Sequence, residues 1–102
     1  MTFRVQITAE ARSQLTAIDD WWAANRPKAP GLVLRELDRA IALLATTPGA
    51  GKLYQEAGSA AHRRLLLRRS GFHVYYVVDE SARVVVVTAV WNGVRGHGPT
   101  LP

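Results

Sequence analysis

The sequence predicts an α+β fold of β-α-α-β-β-β order, with a helical hairpin packed on a small, mostly antiparallel sheet. Three observations predict it. Apolar residues recur at helical spacing in two stretches, residues 11–22 and 33–44, separated by a short link at residues 26–29. Residues 63–91 read as three strand-like runs, rich in β-branched and aromatic side chains and joined by two short turns. A short alternating segment precedes the first helix. At 102 residues the chain is expected to form one domain with one core, spanning residues 1–102.

Phe3, Val5 and Ile7 alternate with Arg4, Gln6 and Thr8, the period of a half-buried strand. Thr8 then stands where a helix N-cap would, with Glu10 in the first turn to favour the helix dipole. Ala11, Leu15, Ile18 and Trp22 follow at spacings of four, three and four, which is one helical face. Asn25-Arg26-Pro27 ends this helix, because a residue before proline is biased away from helical geometry. A second helix is expected from near Pro30. Its apolar stripe is Leu34, Leu37, Ile41 and Leu44, widened by Val33 and Ala40, while Arg35, Glu36, Asp38 and Arg39 face water. The short link makes the hairpin antiparallel. Residues 48–61 read as a loop of small residues. Its G-A-G-K lacks the longer glycine frame, and the Ser or Thr after the lysine, that a phosphate-binding loop needs.

In the sheet, Ser70-Gly71 reads as a two-residue hairpin turn, which sets Leu65 opposite Tyr76 and Leu67 opposite Val74. One face then holds Leu65, Leu67, Phe72, Val74 and Tyr76; the other holds Arg64, Leu66, Arg68, His73 and Tyr75. The first is core beneath the helices and the second is basic and aromatic. The run at residues 84–91 suits a central strand covered on both sides. The turn before it has no unique length, so its two faces stay unassigned.

Apolar residues make up 48% of the chain and charged residues 21%, an ordinary globular composition. The net charge of +5 is uneven: residues 1–61 carry seven basic and six acidic side chains, residues 62–102 six basic and two acidic. All six of the latter are Arg, which favours planar, bidentate contact with phosphate or carboxylate. The chain contains no cysteine, which excludes disulfides and thiolate metal sites and suits a reducing compartment. No apolar run approaches the ~18–20 residues that cross a bilayer, and the N-terminus lacks a signal-peptide stretch. A cytoplasmic protein without a membrane partner is the expectation.

Several segments, taken in order, resemble the RelE/ParE superfamily of bacterial toxins across nearly the whole chain, and the ParE branch more than the RelE branch. They are Leu15, Ile18 and Trp22 on the first helix, L-A-T-T-P-G-A-G at residues 44–51, R-R-L-L-L at 63–67, F-H-V-Y-Y-V-V-D at 72–79 and V-W-N-G-V-R-G at 90–96. The resemblance implies a toxin held inactive by a cognate antitoxin in a type II pair, without cofactor or metal. Its ParE branch implies a poison of DNA gyrase that acts by binding; its RelE branch implies a ribosome-dependent messenger-RNA endonuclease.

Cleaving RNA through its 2′-hydroxyl needs a base, an acid and cations around the phosphate. Arg64, Arg68 and Arg95 are candidate cations, and His73, Tyr75, Tyr76 and His97 candidate proton carriers. Asn92 stands where many RNA-cleaving relatives place a histidine, and His97 sits between glycines, a poor setting for preorganised catalysis. The reading is therefore a ParE-like gyrase binder that engages its target through Arg64, Arg68 and Arg95. The alternative is a RelE-like nuclease using Arg64, Arg68, His73, Arg95 and His97. The antitoxin is expected along the helical hairpin, on Trp21, Trp22, Leu15 and Leu34. The two tryptophans point about 100° apart on a helix, so Trp22 continues the core stripe and Trp21 is free to meet a partner.

Overall fold

The computed structural model describes residues 2–54, 61–92 and 101. The chain runs β1 (Arg4–Ile7), α1 (Ala9–Asn25), α2 (Leu32–Thr46), β2 (Lys52–Tyr54), β3 (His62–Leu66), β4 (Phe72–Asp79) and β5 (Val84–Asn92). The strands form one five-stranded sheet in the order β1-β5-β4-β3-β2. β1 lies parallel to β5, and the other neighbours are antiparallel. Both helices cover the same face. The expected class stands, with one strand more than expected: β2 forms within the segment read as a loop.

Thr8 caps α1, its hydroxyl accepting the Ala11 amide at 3.1 Å. Ala11 and Trp22 are buried and Leu15 and Ile18 pack against the same core, so the inward face of α1 is the one its spacing defines. α2 starts after Gly31, whose φ of 71° is a left-handed conformation that glycine adopts without steric strain. Its buried stripe is Val33, Leu37, Ala40 and Leu44. Leu34, expected in that stripe, is turned to solvent because Val33 takes the inward place and adjacent helix residues diverge by about 100°. Glu36, expected to face water, is buried instead. Its carboxylate accepts the Arg69 amide at 2.9 Å and the Ser70 amide at 3.0 Å, and without such donors a buried carboxylate would be costly.

The β3–β4 turn is longer than two residues. Leu65 faces Val74 and Leu66 faces His73; the Leu67 amide donates to Phe72 O at 2.8 Å, and the Gly71 amide to Leu67 O at 2.8 Å. Residues 68–71 make the turn, with Gly71 at φ 84°. The pairing differs from the expected one by an even number of positions, so every side chain keeps its face. On β5 the register changes between Tyr75, which faces Ala89, and Tyr76, which faces Val87. Thr88 is the extra residue of a bulge. Val85 and Val87 before it, and Val90 after it, join the core beneath the helices, while Ala89 joins the opposite face. That reversal of parity is why no single alternation assigns this strand. On the opposite face Tyr75, Ala89 and Leu101 are buried together with Tyr54 and Trp91 against them, so β5 is covered on both sides as expected.

Candidate functional site

The outer face of the sheet, away from the helices, carries charge at its β2–β3–β4 end. The β2–β3 register sets Lys52 directly opposite Arg64, and the β3–β4 register sets Arg64 opposite Tyr75 and Leu66 opposite His73. Lys52, Arg64, Arg68 and His73 together line a cavity of about 380 Å³, and among the described residues no carboxylate lines it. Like charges directly opposite on a sheet oppose folding, so a Lys–Arg pair is not there to hold the strands together. Arg64 extends over the Tyr54 ring, its Cζ 5.1 Å from the centroid, which keeps the guanidinium beside the cavity. His73 packs edge-on against Tyr75 at 6.2 Å, and its Nδ1 is buried without a hydrogen-bond partner. Burial first, and the Arg64 charge second, hold its imidazole below the ordinary histidine range of 6.5, so it is neutral at pH 7.

Two buried devices fix this surface from beneath. The Tyr76 hydroxyl donates to Pro48 O at 2.8 Å and accepts the Gly51 amide at 2.8 Å, while Arg63 donates to Gly51 O at 2.8 Å. Together they fasten the chain just before Lys52. Burial raises the Tyr76 phenol above its ordinary value, against the smaller opposing pull of the Gly51 amide and the Arg63 charge, so it stays protonated as a donor. Gly51 has no room for a side chain: a Cβ there would lie 2.8 Å from the Tyr76 hydroxyl and 2.9 Å from Arg64 O. At the other end, Glu36 holds the turn that carries Arg68.

The structure therefore gathers three of the sequence candidates, Arg64, Arg68 and His73, and adds Lys52, which sequence reasoning had left in a loop. Arg68 reaches the cavity from the turn rather than from a strand. Tyr75 and Tyr76 are both buried, Tyr76 in the core face as expected. Arg95 and His97 lie outside the described residues. Of the hairpin candidates, Trp22 and Leu15 belong to the core, while Trp21 is 49% exposed and Leu34 37% exposed. Trp21 borders a second cavity of about 510 Å³ between α1 and the ends of β4 and β5, with Trp22 and Phe72 among its walls. Among the described residues no group of His, Asp and Glu is placed to hold a metal ion, and no helix is long and apolar enough to cross a membrane.

Two helices on one side of a five-stranded mixed sheet make this a RelE/ParE-like fold. The chromosomal ParDE system of P. aeruginosa contains a similar chain, with TM-score 0.71 and 19% identity over 88% of this chain and 95% of that one. The archaeal RelE–RelB complex of Pyrococcus horikoshii OT3 gives TM-score 0.65 at 18% identity, covering 94% and 100%. The RelBE2 toxin–antitoxin complex of Mycobacterium tuberculosis gives 0.63 at 20%, covering 90% and 99%. No curated protein matches the sequence. Residues 5–95 match the family described as the ParE toxin of the type II toxin–antitoxin system parDE. The chain belongs to that family.

Proposed function

We propose that this toxin stops growth by binding DNA gyrase in the cytoplasm, that the Lys52–Arg64–Arg68–His73 surface meets the target, and that a cognate antitoxin neutralises it. The observation that carries this reading is the convergence of three cations on one cavity with no acid among its described lining residues, in a chain of the ParE family. Charge-assisted contacts from arginine suit a carboxylate or phosphate on a large partner. A second reading, ribosome-dependent cleavage of messenger RNA, is favoured by one specific feature: His73 stands among those cations, where an imidazole can move a proton.

One experiment separates the two. Purified toxin is added to gyrase with plasmid DNA, and separately to ribosomes with message. Gyrase binding predicts changed supercoiling or trapped cleaved DNA, with the message intact, and predicts that Arg64→Ala abolishes growth arrest while His73→Gln retains most of it. Cleaved message that becomes intact with His73→Gln, a loss of roughly 10²–10⁴-fold in rate, establishes the nuclease instead.

A further inference from the structure

Arg64 and Arg68 reach the basic cavity by different routes. Arg64 leaves a strand and lies over the Tyr54 ring, so a side-chain contact steadies it. Arg68 is exposed and belongs to the turn, and among the described residues no hydrogen bond or ring contact holds its guanidinium. Its place beside the cavity is therefore set by the backbone of residues 67–71. Two bonds close that backbone at its base, Leu67 N–H to Phe72 O and Gly71 N–H to Leu67 O, each 2.8 Å. The consecutive amides at its tip, those of Arg69 and Ser70, donate outside the turn to the Glu36 carboxylate. Oε2 accepts the first at 2.9 Å and Oε1 the second at 3.0 Å.

Glu36 occupies a position suited to an apolar side chain. It is 8% exposed and lies one turn from both Leu32 and Ala40 on the buried side of α2. A carboxylate is tolerated there only where donors meet its oxygens. The donors it takes are backbone amides and not the guanidinium of Arg68 or Arg69, so its charge leaves the cations of the cavity without a counter-ion from α2. A charged acceptor that spans two adjacent amides fixes the peptide planes directly after Arg68. We propose that Glu36 is a positioning residue for target contact: from the helix side of the sheet it holds the turn so that Arg68 is presented at the cavity. The proposal rests on the reading that this surface meets the target. It adds to that surface a residue that does not line the cavity and acts only through the backbone it holds.

The test expresses the full toxin without antitoxin and reads the toxin level that halves the growth rate. It compares wild type, Arg68→Ala, Glu36→Gln and the double variant. Glu36→Gln keeps the shape of the side chain, removes the charge and turns a donor towards one of the two backbone amides. Arg68→Ala should need about tenfold more toxin, the scale of one lost charge-assisted contact. Glu36→Gln should need a comparable excess when Arg68 is present, and none further when it is already Ala. A merely structural role would weaken both backgrounds by the same factor, so the cycle separates the two. Hydrogen exchange on the free wild-type toxin gives a reading that depends on no variant. The Arg69 and Ser70 amides should be protected although they lie in a turn. Exchange of both at the rate of open amides overturns the proposal, as does a Glu36→Gln effect that is equal in the two backgrounds or nil in both; each leaves Arg68 in the target surface. Arg68→Ala that arrests growth like wild type overturns the reading of the surface at Arg68, and the proposal with it.

Discussion

The two faces of this sheet are built by different rules. Beneath the helices, Val74, Tyr76, Val85 and Val87 are sealed from water, and the hydroxyl that Tyr76 brings into the core is met by one acceptor and one donor. On the outer face Lys52 stands against Arg64, and His73 keeps a buried nitrogen without a partner. Folding alone selects the first arrangement and selects against the second. The like-charge pair and the orphaned nitrogen on the outer face fit the contact surface proposed there, since departures from local rules gather at functional sites. The outer face is not uniform, however. Its middle, around Tyr75 and Ala89, is buried with Leu101, and among the described residues the basic cavity lies at the β2–β3–β4 end.

The contrast is open to test, beginning with the largest effect. Leu44, fully buried in α2, should cost about 2–5 kcal/mol when replaced by Ala, measured by urea unfolding of the purified toxin. A cost near zero would mean that the helix face is not the stabilising one. Tyr76→Phe keeps the ring and strands the Gly51 amide and Pro48 carbonyl, so a loss of about 1–3 kcal/mol is expected in the same assay. The smallest effect belongs to the outer face. His73 has a folded pKa below its unfolded value of 6.5, so between the two values the unfolded chain binds more protons. Its contribution is therefore intact above about pH 6.5 and is lost as the pH falls from there through the lowered folded value. His73→Gln should flatten that part of the stability–pH curve and leave the curve above pH 7 in place. An unchanged slope would place His73 in a more open setting than the cavity wall.

Much of the helix face was legible in the sequence because its signals are local. The Thr8 cap, the stripe from Ala11 to Trp22 and the alternation through β3 and β4 each depend on neighbours within one turn or one strand. Even a misjudged turn at residues 68–71 left the faces correct, since the error in pairing was even. What escaped depends on distant partners. Nothing near Glu36 in sequence announces that amides more than thirty positions away will claim its carboxylate. Three residues, K-L-Y, are too few to show alternation, so β2 looked like loop and Lys52 was not placed beside Arg64. The Thr88 bulge defeats any single period along β5. At the site, Arg64 and His73 were readable as members of one face; the cavity they share with Lys52 and Arg68 was not, because it arises only when β2 and the turn are docked.

The clasp between Tyr76, Pro48 and Gly51 has a consequence for genetics. Lys52 follows Gly51 directly, and Gly51 sits where even a methyl group would collide with a phenol and a backbone carbonyl. Any substitution there must push β2 away from β3 and carry the lysine with it. When cells expressing the toxin are selected for survival, escape alleles should accumulate at Gly51 as well as at Arg64, although the glycine has no side chain to offer a partner. A survivor map read naively as a contact map will therefore draw the target footprint too wide, extending it from the surface down into the joint that supports it.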